Sequence, residues 1–139
     1  MARRLILDTN TLIAYERGTF DTSALDDDDL AIAALTIAEF RTGIELAATA
    51  ARAAERARVL AAVTSILTVL DYTERTAVEH ARLLAHAHRA GTPRGAHDLV
   101  IAAHAAEDGR AVFSLDARAR FAELPGVLAI APPPSSDRP

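Results

Sequence analysis

Leu5-Ile6-Leu7-Asp8-Thr9-Asn10-Thr11-Leu12-Ile13 is the stretch whose reading decides the fold. Its first part, from Arg4, is a short apolar run, read as a buried strand that a carboxylate closes. Thr9 or Asn10 can cap a helix that runs to about Arg17, where Gly18 stops it. The same strand-then-helix grammar recurs along the chain. Leu30 to Leu35 reads as a second strand, and Thr36 opens a helix in which Thr36 and Glu39 have capping-box spacing. Ala47 to about Val63 reads as the second helix of a hairpin. Ile66 to Leu70 is a third strand, and Thr73 caps a helix to about Ala90. After the loop Gly91-Thr92-Pro93-Arg94-Gly95, Ala96 to Ala106 form an apolar helix ended at Gly109. Ala111 to Leu115 is a fourth strand, followed by a short helix to Phe121, and Val127 to Ala131 is a fifth. Phe20 to Leu25 form one turn, and Asp26 to Asp29 read as a solvated loop tip.

Strands alternating with helices imply an α/β fold: a parallel sheet of four to five strands with helices on both faces. No repeat or linker divides the chain, so residues 1–131 are expected to form a single domain, and Pro132 to Pro139 a disordered Pro-rich tail. In such sheets ligands bind outside the carboxyl ends of the strands, at a topological switch point.

Composition narrows the function. The chain has 139 residues and a net charge of −4, which argues against a strongly basic nucleic-acid binder. It contains no Cys, which removes disulfides, zinc–thiolate sites and thiol nucleophiles. All 15 basic residues are Arg, and the absence of Lys removes the P-loop and Schiff-base chemistry. No apolar run is long enough for a membrane span, and the run behind Arg3 and Arg4 is too short for a signal peptide, so a cytoplasmic protein is expected.

Four carboxylates stand where carboxylates are costly. Asp8 and Asp116 close apolar strands, and Glu39 and Asp98 lie in the first turns of apolar helices, so the architecture puts all four on one rim. Each has an ordinary explanation: a helix start for Asp8, a capping box for Glu39, the helix dipole for Asp98 and a turn for Asp116. Together, with no Lys or Arg beside them except Arg94, they suggest a bound cation. Hard oxygen ligands without Cys or a His pair suit Mg²⁺ or Mn²⁺, ions that coordinate phosphate oxygens and assist phosphodiester hydrolysis.

These segments resemble, in order, the four motifs of PIN-domain ribonucleases. The opening stretch is similar to the first, Thr36-Ile37-Ala38-Glu39-Phe40 with Gly43 to the second, Gly95 to Ala103 to the third, and Ser114-Leu115-Asp116 with Phe121 to the fourth. Length and spacing resemble the VapC toxin family of type II toxin–antitoxin pairs. The resemblance implies a PIN-like three-layer sandwich and a Mg²⁺- or Mn²⁺-dependent endoribonuclease. It implies a metal-binding and catalytic quartet of Asp8, Glu39, Asp98 and Asp116, with Asn10 and Ser114 in support. It also implies an RNA substrate, a homodimer, and a cognate antitoxin that projects a basic side chain into the acidic site.

Arg94 is the candidate phosphate contact, its alternative being a salt bridge to a neighbouring acid. His97 reads as an exposed helix-start residue within reach of substrate. His80, His86, His88 and His104 read as structural or surface residues; His86 and His88 fall about 200° apart on a helix. Arg52, Arg56 and Arg58 read as a solvated face with Glu55 close enough to pair; Arg118 and Arg120 flank the short helix after Asp116, where they could line an RNA groove, with a solvated face as the reading for at least one. A haloacid-dehalogenase-type phosphatase needs an Asp where Asn10 stands, and a receiver domain needs a Lys. The alternative from another class is a catalytically silent binding module on the same scaffold.

Overall fold

The computed structural model describes residues 2–131; the expected tail from Pro132 lies outside the described residues. Its centre is β1 (Arg4–Leu7), whose last three residues are fully buried. Side chains on a strand alternate between faces. Leu5 and Leu7 therefore enter one apolar core, with Leu12, Val63 and Phe113, and Ile6 enters the other, with Leu83, Leu99, Ile101 and Val112. These two cores are the layers between sheet and helices.

Four further strands join β1: β2 (Asp29–Ala33), β3 (Thr68–Leu70), β4 (Ala111–Phe113) and β5 (Leu128–Ile130). The five-stranded sheet has the order β3-β2-β1-β4-β5. Every pairing is parallel, with Leu5 opposite Leu30 on one side and Ala111 on the other. The chain leaves β1 in one direction through β2 and β3, then crosses to build β4 and β5. The switch point lies between β1 and β4, and the carboxyl ends of these strands are where a sheet of this kind forms its ligand crevice. Among the described residues no helix is long and apolar enough to cross a membrane.

The helices are α1 (Thr9–Arg17), α2 (Ala34–Glu45), α3 (Ala50–Ile66), α4 (Glu74–Ala90) and α5 (Ala96–Asp108). Gly18 and Gly109 end α1 and α5 in the left-handed conformation, at φ 67° and 62°, where a Cβ is unfavourable. The loop at 91–95 separates α4 from α5 as expected, and the two helices pack together as a hairpin.

Several boundaries differ from the expectations, each for a visible reason. Asp8, rather than Thr9 or Asn10, caps α1: its Oδ1 accepts a bond from Thr11 N at 3.0 Å. The second helix starts at Ala34, directly on β2, with Ala33 as its first flank and no side-chain cap. Thr36 is consequently an interior residue, fully buried, and makes no capping box with Glu39. Strand β4 stops at Phe113 instead of Leu115 because the next residues turn away. Leu115 N donates to Thr11 Oγ1 at 3.0 Å, and Asp116 N to Ser114 Oγ at 3.0 Å. The run at Asp26 to Asp29 is only half solvated. Asp28 is held by Arg3 at 2.7 Å with 7% of its side chain exposed, and Asp29 begins β2.

Candidate active site

The crevice is built outward from Asp8. The residue is 5% exposed, and both oxygens of its carboxylate are engaged. One caps α1, and the other accepts a bond from Ser114 Oγ at 2.6 Å. Ser114 also receives Asp116 N, so one hydroxyl ties the acid after β1 to the acid after β4. Asp116 Oδ1 in turn accepts from Arg118 N at 2.9 Å and opens the short 3₁₀ turn Ala117–Ala119. Thr11, fully buried, anchors the same loop through Leu115 N. Its role is invisible in a linear reading, because its partner lies 104 residues away.

Glu39 reaches the crevice from the second turn of α2. Thr9 Oγ1 donates to its Oε1 at 2.9 Å, and His97 Nδ1 lies 3.0 Å from the same oxygen. With no capping box to occupy it, the acid is free to face the rim. Asp98 arrives in the first turn of α5, on the stripe that buries Ile101, Ala102 and Ala105. Gly95 makes room for it: a Cβ there would sit 3.0 Å from Asp98 Oδ2. Asn10 lies exposed in the first turn of α1, two residues past Asp8.

Burial, and then the charges of Asp8, Asp116 and Glu39 in that order, push the Asp98 carboxyl above its usual value of 3.8, with His97 opposing. The four acids therefore share one electrostatic neighbourhood. Among the described residues no arginine lies within ion-pair distance of any of them. Also among the described residues, no three His, Asp or Glu side chains converge tightly enough to grip an ion as they stand. The donor chemistry nonetheless fits a divalent cation. The donors are hard carboxylate oxygens in a mutually repelling group, which an ion would draw inward.

Two expectations need correction. Arg94 does not face the crevice as a free phosphate contact. Its Nη1 donates to Ala119 O at 2.7 Å and Arg120 O at 2.9 Å, and its Nη2 lies 3.4 Å from Glu123 Oε2. Only 8% of its side chain is exposed. Arg56 is more than surface decoration, since its Nη1 donates to Gly43 O at 2.6 Å, joining α3 to α2. The close approach allowed by Gly43 is thus local packing. Beside Glu39, a cleft of about 470 Å³ runs between α1, α2 and α3, lined by Ile13, Phe40, Arg56 and Val59 among others. Arg58 pairs with Glu55 as expected. Tyr72 OH bonds His80 Nδ1 at 2.8 Å, and His104 is buried edge-on to Tyr72, so both histidines are structural.

A parallel α/β sheet with acids at the carboxyl rim of its switch point, none of them paired with an arginine among the described residues, has the form of a class of proteins that handle divalent cations and phosphates. Within that class the chain belongs to the PIN domain family, whose model matches residues 5–127. It is 31% identical over 133 residues to the tRNA(fMet)-specific endonuclease VapC of Salmonella typhimurium, covering 89% of this chain and 94% of that protein. It is 35% identical over 125 residues to Ribonuclease VapC5 of Mycobacterium tuberculosis, covering 90% of each. The crystal structure of DNA-bound VapBC from Salmonella typhimurium superposes with a TM-score of 0.79 at 28% identity, covering 94% of this chain and 98% of that one.

Proposed function

We propose that residues 1–131 form one nuclease domain, a Mg²⁺- or Mn²⁺-dependent endoribonuclease that acts as the toxin of a type II toxin–antitoxin pair. One observation supports the reading: the charges of Asp8, Asp116 and Glu39 all bear on the Asp98 carboxyl, and among the described residues no arginine lies within ion-pair distance of any of the four. The endonuclease and ribonuclease names of its relatives supply the substrate class.

Asp8 and Asp98 would hold the ion, with Asp116 and Glu39 completing the set. Such an ion, when bound, supplies Lewis-acid stabilisation of phosphate charge and activation of water. The chain's own contribution is orientation. Ser114 aims the Asp8 carboxylate and restrains the Asp116 backbone, Thr9 aims Glu39, and Gly95 keeps the approach to Asp98 open. Asn10, exposed beside Asp8, is placed to orient water or substrate. A free crevice of this charge attracts cations, so a basic side chain from an antitoxin would neutralise it. The cleft beside Glu39, where Ile13, Phe40 and Val59 lie among the charged Glu16, Arg17, Glu55 and Arg56, would seat the segment that carries that side chain.

Purified protein incubated with total RNA and Mn²⁺ is expected to cleave it, with EDTA, Asp8→Ala and Asp98→Ala each abolishing cleavage. Equal cleavage by all three proteins would refute the assignment.

A further inference from the structure

The guanidinium of Arg94 is the bridge between two acid-bearing segments. Its residue precedes Gly95, the N-terminal flank of α5, and Gly95 lies directly under the Asp98 carboxylate. Its Nη1 is bonded to the carbonyls of Ala119 and Arg120, at the end of the 3₁₀ turn that Asp116 opens. The turn needs such a tie. Arg120 has φ 48°, the one left-handed residue other than Gly among the described residues, a conformation that a side chain with a Cβ adopts at a cost. Glu123, on the following turn, lies within reach of both Arg94 and Arg120.

We propose that Arg94 is a positioning residue: it sets the placement of Asp116 relative to Asp98 and so tunes the affinity of the crevice for its cation. The inference rests on the metal-site reading above and extends it to a residue outside the acid set. An arginine is required because its planar fork can serve two carbonyls and a carboxylate at once, whereas an ammonium group is a point donor. The molecule contains its own control. Arg82 makes the same kind of tie, from α4 to Pro125 O at 2.7 Å, but it joins no segment that carries one of the four crevice acids.

The test is direct Mn²⁺ titration of wild type, Arg94→Lys, Arg94→Ala, Arg82→Ala and Asp98→Ala, followed by the spectroscopic signal of free Mn²⁺. Each variant's fold is checked by circular dichroism. Loss of a partner bonded directly to a ligand costs about 10- to 100-fold in affinity, and Arg94 acts one step further out, so the lower end of that range applies. Arg94→Lys, the variant most certain to fold, is therefore expected to bind Mn²⁺ about tenfold more weakly than wild type, and Arg82→Ala as wild type does. RNA cleavage by Arg94→Lys should recover as Mn²⁺ is raised. Unchanged Mn²⁺ affinity in Arg94→Lys and Arg94→Ala would overturn the proposal and leave the metal site standing. Wild type binding no tighter than Asp98→Ala would instead remove the metal site, and the proposal with it.

Discussion

The two ends of the sheet treat aspartate in opposite ways. At the amino end of the strands Asp28, Asp29 and Asp108 each meet an arginine. Arg3 holds Asp28 at 2.7 Å, Arg4 holds Asp108 at 3.1 Å, and the buried Arg110 bridges Asp108 at 2.7 Å and Asp29 at 3.1 Å. The hydrogen bond from Arg3 pulls Asp28 below the usual carboxylate value. Burial alone would raise Asp108, but the bonds and charges of Arg110 and Arg4 outweigh it and leave it lowered. At the carboxyl end Asp98 is raised, by burial and by three other acids. The same side chain is a structural ion-pair partner at one end and a standing electrostatic cost at the other. Among the described residues arginines pair with the acids at one end and with none of the four at the other, the contrast on which the proposed cation site rests.

The difference breaks most visibly if Asp98 is neutralised. Asp98→Asn is expected to lower RNA cleavage by more than about 100-fold, beyond the loss typical of outer-sphere partners. It should also raise the melting temperature of the metal-free protein, because one repelling charge is gone. Cleavage assays and thermal melts on the same preparations check both halves.

The opposite change at the amino end should cost stability and spare the site. Arg110→Ala removes a buried fork that also serves Leu5 O and Asp29 O. Its acidic partners are themselves partly exposed and can recover water. The cost expected is therefore about 2–3 kcal/mol, near the lower end of the range for a broken buried pair. Urea denaturation measures it, and Mn²⁺ affinity should not change.

Only the carboxyl-end half of this contrast was legible in the sequence, because it lies in short stretches. An apolar run closed by Asp8, and an apolar stripe opened by Asp98, carry their burial with them. What was illegible depends on distant partners. Four aspartates in a row look solvated until Arg3, 25 residues upstream, takes Asp28. Thr36 and Glu39 have the spacing of a capping box, yet α2 begins earlier, directly on β2, and packing buries Thr36. Arg94 reads as a phosphate contact or a salt-bridge partner; the fold gives it the acid Glu123, and also the carbonyls of Ala119 and Arg120, which nothing in the sequence announces.

Acid titration sharpens the comparison with a smaller effect. For metal-free protein, the stability contributed by Asp28 and Asp108 is present above the usual carboxylate value and is lost as pH falls through their lowered values. Asp98 runs the other way. Its contribution is fully present below 3.8 and is lost as pH rises through its raised value. Melting temperatures of wild type, Asp28→Asn and Asp98→Asn in EDTA are therefore expected to diverge with opposite slopes. The wild-type advantage over Asp28→Asn should shrink on acidification, and the advantage of Asp98→Asn over wild type should shrink as well.

The central claim, that the crevice acids are left unneutralised for a divalent cation, is tested most directly by melting wild type and Asp98→Asn with and without Mn²⁺. A ligand at 100 times its dissociation constant stabilises the folded state by about 2.7 kcal/mol. Wild type should gain that stabilisation and Asp98→Asn should gain little, reversing their order of stability. A wild-type melting temperature indifferent to Mn²⁺ and to Mg²⁺ would contradict the account.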